Sequence, residues 1–298
     1  MILVVGATGN LGGDIALRLL QQGKPVRVLL RHNSPAEAMA AQGMAVSPQA
    51  LLAAGAQPVY GDMKDRASLD AAMQGVETVI TTANSALRGG DDNPMTIELQ
   101  GNRNLIDAAK AAGVNHFIFV SVLGYDPDSP NPFFAGKGKT EEVLINSGMH
   151  YTILAPDIFA EVWLGMVLGM PLMNHAAVTL VAPATHRHSF VSMRDVAAYA
   201  VAAVDHPSAC DKRIPIGGPE ALSWQDVVAK ASALLGQPLQ VNIVQPGEPV
   251  PFLPPGVDQI MIAGEQYESI VEMERLSETF GVPPTPIEEV MRGMFARQ

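Results

Sequence analysis

Gly6, Gly9 and Gly12 stand three apart, directly after the apolar run Ile2-Leu3-Val4-Val5 and directly before DIALRLLQQG. The run is short and uniformly apolar, as in a strand buried on both faces. Ile15, Leu19 and Leu20 then fall at helical spacing, with Gly23 as a stop. Glycines at a strand-to-helix turn let the backbone bend tightly and approach an anion. The new helix offers that anion its unpaired N–H groups and the positive end of its dipole. The chemistry of such a turn is to hold a pyrophosphate, so dinucleotide binding is expected over Gly6, Thr8, Gly9, Asn10, Leu11 and Gly12. A plain strand-to-helix turn is the competing reading, and the matching elements on both sides count against it.

A cation follows at the next informative position. Residues 25–30, PVRVLL, read as a second strand that ends at Arg31, a little over twenty positions beyond the turn. A carboxylate there would bond the ribose hydroxyls of NAD. Arg31-His32-Asn33-Ser34 contains no acid, and a guanidinium matches a 2′-phosphate in charge and shape. The expected cofactor is NADP(H), with NAD(H) possible. A solvated loop arginine is the alternative. His186 and His188 form an HxH pair without a clear third ligand nearby, so no metal site is expected and both histidines read as surface or pocket-rim groups. Trp163, Met166 and Met170 lie at helical spacing around LGMVLGMPLM, which suits a core or an adaptable apolar pocket wall.

The elements that must position these groups alternate. Val59 and Tyr60 begin a third strand, SLDAAMQGV is a helix, and ETVITTAN is a fourth strand ending on Thr82, Ala83 and Asn84. SALRGGDDNP is a polar loop that closes over a ligand or is simply exposed. Residues 95–112 read as a helix and NHFIFVSVLGYD as a fifth strand with its exit loop. Alternation of this kind implies a Rossmann-type α/β fold, a doubly wound parallel sheet with ligands beyond the carboxyl ends of its strands. Residues 35–57 suggest one or two short helices of no assigned role. Later, Ser223 reads as a helix N-cap, and Tyr267 to Phe280 and IEEVMRGMF read as helical.

The 298 residues are 48% hydrophobic and 16% charged, enough for a large core. A net charge of −11 argues against nucleic acid as a partner. The single Cys210 suits a reducing compartment. Met1 leads straight into the first strand, leaving no room for a signal peptide, and no apolar run is long enough for a bilayer. The expectation is a cytoplasmic monomer or homodimer acting on a small molecule, away from membranes.

GATGNLG, with its GxxGxxG spacing, together with FFAGKGKTEEVL and SGMHYTILAP, resembles the NmrA-like branch of the atypical short-chain dehydrogenase/reductases. That branch includes NAD(P)H quinone reductases, triphenylmethane reductases and isoflavone reductase-like enzymes. The resemblance implies a cofactor domain over 1–155, with 187–206 returning to it, and a smaller substrate lobe over 156–186 and 207–298. It implies that Asp62 and Met63 lie against the adenine, and that Pro156, Asp157, Ile158 and Phe159 line the reactive end of the cofactor, with Ala155 replacing a usual arginine. Lys137 matches the family lysine; Lys139 competes but is two residues out of register. The position of the usual tyrosine acid, one helical turn before Lys137, holds Phe133, which has no proton to give.

Ser121 stands alone where many members carry consecutive serines. A catalytic hydroxyl and one that merely bonds backbone are equally open for it. Tyr125 is a substitute acid. Catalysis is thus expected of Lys137, Ser121 and Tyr125, the first two also touching cofactor. Leu123, Tyr125, Phe133, Phe134, Trp163 and Met166 are expected around the substrate. An acceptor that delocalises the incoming electrons needs no strong protein acid. The implied activity is therefore an NADPH-preferring reductase of quinone-like or other conjugated apolar acceptors. A non-catalytic NADP(H)-sensing regulator is the alternative, and a scaffold with a vestigial dinucleotide fold is a further one.

Overall fold

The computed structural model describes residues 1–32, 35–41, 43, 45–86, 89–124, 126–254 and 257–296. Nine strands lie along them: β1 (Ile2–Val5), β2 (Val26–Leu30), β3 (Gln57–Tyr60), β4 (Thr78–Thr81), β5 (His116–Val120), β6 (His150–Pro156), β7 (Val178–Val181), β8 (Lys212–Ile216) and β9 (Val241–Val244). Seven form one sheet in the order β3-β2-β1-β4-β5-β6-β8, and β1 to β6 pair in parallel. This is a Rossmann-type α/β architecture. The order reverses between β1 and β4, so a crevice opens beyond their carboxyl ends. β1 and β4 are buried along their whole length, as strands covered on both faces must be.

The chain divides into two compact units, Met1–Ala155 with Val196–Ile214, and Pro156–Asp195 with Pro215–Gln298. The return to the first unit runs over 196–214, where 187–206 was expected. Residues 188–192 form no strand of the main sheet. His188 makes only isolated bridges, to Leu222 and Ser269, and these hold that stretch within the second unit. The second unit has its own core, with Trp224 set edge-on to Phe190 at 5.1 Å and Leu164, Leu168, Val227 and Met291 packed around it. Its small parallel sheet pairs β7 with β9.

In the first unit, α1 (Asn10–Gln21) buries Ile15 and Leu19, as their spacing required. The 35–57 insert contains two short helices, α2 (Ala36–Ala41) and α3 (Pro48–Ala53). Its role is visible in Val46, whose N–H donates to the Thr8 carbonyl at 2.9 Å. The Val46 side chain fills the notch left by Gly13, where an added Cβ would stand 2.3 Å from it. The insert therefore braces the glycine turn from behind.

After α4 (Arg66–Ala72), the expected single helix over 95–112 is two segments. Met95–Gly101 is π-helical and α5 (Asn102–Ala111) is regular. The Asn102 amide donates to the Ile97 and Glu98 carbonyls, and Thr140 Oγ1 donates to the Glu98 carbonyl, so side chains satisfy the loosened ladder. Thr140 lies on α6 (Pro132–Ile145). Ser223 caps its helix with a full capping box to Asp226. Only Glu274–Phe280 of the 267–280 stretch is helical, because Ser269 is held extended between Arg187 and Ser189.

Gly6 has φ of 84°, and a Cβ on Gly12 would lie 2.4 Å from the Gly6 carbonyl oxygen and 2.6 Å from Thr82 Oγ1. A Cβ on Gly9 would meet only the Gly6 oxygen, at 3.3 Å. Gly12→Ala is therefore expected to cost about 1–3 kcal/mol of stability through overpacking. Gly9→Ala should cost much less. Urea unfolding of both variants without cofactor checks this ranking.

Candidate functional site

The crevice beyond β1 and β4 is lined by Val5, Gly6, Thr8, Leu29, Arg31, Gly61, Asp62, Met63, Ala83, Asn84 and Ile97. It brings together seven residues singled out in the sequence, Gly6, Thr8, Arg31, Asp62, Met63, Ala83 and Asn84. Asn10 and Leu11 open α1, whose N-cap Gly9 provides no side chain and whose first turn carries no acid. An anion there would meet bare N–H groups and no repelling carboxylate. Thr82 is buried instead and ties β4 to β1, its N–H and Oγ1 both donating to the Val5 carbonyl at 3.0 and 3.4 Å. Val5, Leu29, Gly61 and Ile97 were not anticipated. The first two were read only as strand, and Gly61 owes its place to Ser68, whose Oγ a Cβ would approach to 2.8 Å.

Asp62 stays at the crevice because its Oδ1 accepts from the Lys64 N–H at 2.8 Å. The Met63 carbonyl is held by the Asn104 amide at 2.9 Å. The loop after β4 returns across this side, and Arg31 Nη1 donates to Asp92 Oδ2 at 2.6 Å.

A second cluster forms where β5 ends against α6. Lys137 is buried, and Lys139 is exposed on the opposite side. Lys137 Nζ donates to the Val120 carbonyl at 3.0 Å and stands 4.8 Å from the centre of the Phe119 ring. The Phe133 ring, one turn earlier on α6, lies 5.7 Å from the same ammonium. An aromatic face therefore takes the place next to the lysine that a phenol would occupy. Burial pulls the Lys137 pKa down to about 8, against the opposing pull of the Glu98 and Glu141 charges.

Ser121 donates its hydroxyl hydrogen to Glu141 Oε1. The other oxygen of Glu141 accepts from Arg213 Nε at 2.8 Å, and Arg213 Nη2 donates to the carbonyls of Val122 and Leu123 at 2.8 and 3.2 Å. The hydroxyl is thus part of a buried network that pins the β5 exit, and its partner is a side chain, not the backbone expected of a structural serine. Glu98 is fully buried. Its Oε1 accepts from the Ser85 N–H at 2.7 Å, and its Oε2 has no hydrogen-bond partner among the described residues. Arg213 carried no sequence signal, since β8 delivers it from more than seventy residues away. Glu141 lay within the stretch FFAGKGKTEEVL that carries the family resemblance. Leu123 is half-buried beside this network, and Phe133 packs edge-on to Phe134 at 5.7 Å. Tyr125 lies outside the described residues.

In the second unit, Pro156 is buried and Ile158 packs on the core. Phe159 precedes a short helix and pairs with Val191. Trp163 packs toward that core, tilted on Trp224 at 6.4 Å, and Met166 is half-buried. His188 is not a surface or rim group as expected but 1% exposed. Its Nε2 faces the Gly264 carbonyl at 2.9 Å and its Nδ1 faces Ser269 Oγ at 2.6 Å, which in turn bonds Asp157 Oδ2 at 2.7 Å.

The hydrogens in this chain can be counted. A carbonyl only accepts, so Nε2 carries a hydrogen. Ser269 has one hydrogen for two contacts, so the other comes from an imidazolium at His188 or from a protonated Asp157. Burial raises the Asp157 carboxyl to about 6, while the bonds from Ser269 and the Ser189 and Ile158 N–H groups oppose it. Burial lowers His188, which the Gly264 contact opposes.

The profile of the NmrA-like family matches residues 1–293. The chain belongs to the NmrA-like family. This NmrA-like chain is 31% identical over 242 residues to the NAD(P)H azoreductase of Xenophilus azovorans, covering 80% of this chain and 76% of that one. It is 29% identical over 253 residues to the photosystem II assembly factor Ycf39 of Cyanophora paradoxa, covering 85% and 73%. Among solved structures, the NADPH-dependent quinone oxidoreductase QOR2 of Escherichia coli complexed with NADPH superposes with a TM-score of 0.77. It is 25% identical, covering 99% of this chain and 100% of that one.

Among the described residues, no helix is long and apolar enough to cross a membrane. Replacing Arg213 by Met leaves Glu141 buried without its cation, and a stability loss of about 3 kcal/mol is expected. Adding Glu141→Gln should recover part of it. A double-mutant cycle by urea unfolding measures the coupling.

Proposed function

We propose that this chain is an NADPH-preferring reductase of small, apolar, conjugated acceptors such as quinones and dyes. The observation that carries the reading is Phe133 set against the buried Lys137 ammonium. That face offers a charge but no phenolic proton. An acceptor whose reduced form delocalises charge suits it, because the ammonium favours negative charge developing nearby. The names of the azoreductase and quinone oxidoreductase relatives support the same class.

The residues fit the cofactor. A Cβ on Gly9 would meet only the Gly6 oxygen, α1 starts without an acidic cap, and Arg31 stands at the end of β2. Gly6, Thr8, Gly9, Asn10, Leu11 and Gly12 would hold the pyrophosphate, Asp62 and Met63 the adenine, and Arg31 the 2′-phosphate. Thr82, Ala83, Asn84, Ser121, Lys137 and the Pro156-Asp157-Ile158-Phe159 stretch are the further cofactor residues of this reading. Leu123, Tyr125, Phe133, Phe134, Trp163 and Met166 are its acceptor residues, with Tyr125 also a candidate acid. NADPH supplies the hydride when bound. The reading carries with it a cytoplasmic monomer or homodimer.

A second reading is a non-catalytic NADP(H) sensor or assembly protein. It is favoured by the Ser121 hydroxyl being spent on Glu141 and by the relative named as an assembly factor. NADPH consumption across quinones, azo and triphenylmethane dyes and enones separates the two. Steady turnover with one of them is expected, whereas tight NADPH binding with no turnover of any would give the sensor the lead.

The lowered pKa of Lys137 sets two opposite pH responses. If its cation assists turnover, kcat/KM should fall as pH rises through about 8, where the buried ammonium loses its proton. Folding stability should change the other way over the same range. Above pH 8 the unfolded lysine still holds a proton that the folded one has lost, so stability rises with pH until the ordinary lysine pKa of 10.5 is passed. Lys137→Met should lower kcat/KM by roughly 10²-fold and remove both responses. Rate and unfolding profiles from pH 6 to 10 test this.

A further inference from the structure

Asp92, at the end of the loop after β4, places one carboxylate oxygen on each of two cations. Oδ2 accepts from Arg31 Nη1 at 2.6 Å and Oδ1 from Lys64 Nζ at 2.9 Å. The cations come from the exits of β2 and β3, and Arg31 lines the same crevice as Gly6 and Thr8. The Asp92 side chain is 13% exposed, while those of Arg31 and Lys64 remain 33% and 35% exposed. The carboxylate is therefore enclosed by donors that solvent, or another anion, still reaches.

One carboxylate neutralises only one of these two positive charges. A phosphate monoester is close to dianionic at neutral pH and has three acceptor oxygens, so it answers both. Burial works against the Asp92 charge, but the hydrogen bonds from Lys64 and Arg31 outweigh it and hold the carboxyl at about 2. Asp92 thus stays anionic at working pH, and its charge opposes a second anion on the same two cations. The Asp62 charge also faces Lys64, but Asp62 has its own hydrogen bond, from the Lys64 backbone.

We propose that Arg31 and Lys64 together form the 2′-phosphate site for NADP(H), and that Asp92 fills this site until the phosphate displaces it. Asp92 is then the residue that sets how strongly NADPH is preferred over NADH. Removing its charge strengthens NADPH binding, because the phosphate no longer competes with an internal carboxylate. NADH lacks the 2′-phosphate and gains nothing from that change. The inference rests on the reading that the chain binds NADPH through Arg31.

Calorimetric titration of the full chain with NADPH, NADH, 2′,5′-ADP and 5′-AMP tests it, with circular dichroism as the check on folding. Asp92→Asn keeps the shape and one acceptor, and should tighten NADPH and 2′,5′-ADP about tenfold while leaving NADH and 5′-AMP unchanged. Lys64→Met should weaken the two 2′-phosphate ligands about tenfold and spare the other two, which keeps the test open if Asp92→Asn folds poorly. Unchanged NADPH affinity in Asp92→Asn, or weakened NADH, would overturn the proposal; the latter would make Asp92 a ribose ligand. Arg31→Ala separates the two levels. If it leaves the ratio of NADPH to NADH affinity intact, the Arg31 reading itself fails. If it removes that ratio while Asp92→Asn and Lys64→Met change nothing, only the present inference fails.

Discussion

The structure depends on how closely three backbone segments approach at Gly6, Gly12 and Thr82. Thr82 continues β4 against Val5, and its Oγ1 reaches the space where side chains on Gly6 or Gly12 would begin. Only hydrogen fits at those two positions, so β1, α1 and β4 share one joint. The joint fixes the start of α1, and with it the direction of the first-turn N–H groups. It also fixes where β4 ends, and so where the polar loop beyond it sets out. Val46, seated on Gly13, holds the same turn from its outer side.

Below that crevice the first unit places charge where water does not reach. Lys137, Glu98 and Glu141 are all buried, yet Lys137 forms no close ion pair with either acid. Its proton rests on the Val120 carbonyl and two aromatic faces, while Glu141 is taken by Ser121 and Arg213. A charge held by carbonyl and ring in this way is less firmly fixed than one in a bidentate pair, and correspondingly more responsive to a new neighbour.

Much of this was legible in the chain. Short apolar runs and period-3.6 spacing marked the strands and helices of the first unit, and the glycine spacing marked the turn. Lys137 and Phe133 could be set one helical turn apart because both lie on one continuous helix. What escaped was delivered by tertiary contact. Arg213 arrives from β8, and nothing local to it signals Glu141. The 267–273 stretch has helix-compatible composition, but Ser269 bonds to Arg187 and Ser189 instead, which overrides propensity. His188 read as a surface or rim group because its partners, Ser269 and Gly264, lie far along the chain.

The widened turn at Met95–Gly101 has a consequence for how the chain tolerates change in length. A π segment carries one residue more per turn than the helix it joins, so it acts as a phase slip between the face that begins at Met95 and the face that continues through α5. Deleting a single residue there would restore an unbroken α-helix and rotate everything before the deletion by about 100° about its axis. Glu98 would swing away from the Ser85 N–H, and the carbonyls that Asn102 and Thr140 now satisfy would close onto their own helix. The helix would be more regular and the loop after β4 would lose its hold at Ser85. Length in this segment is therefore constrained to the residue, whereas composition along its exposed side is not.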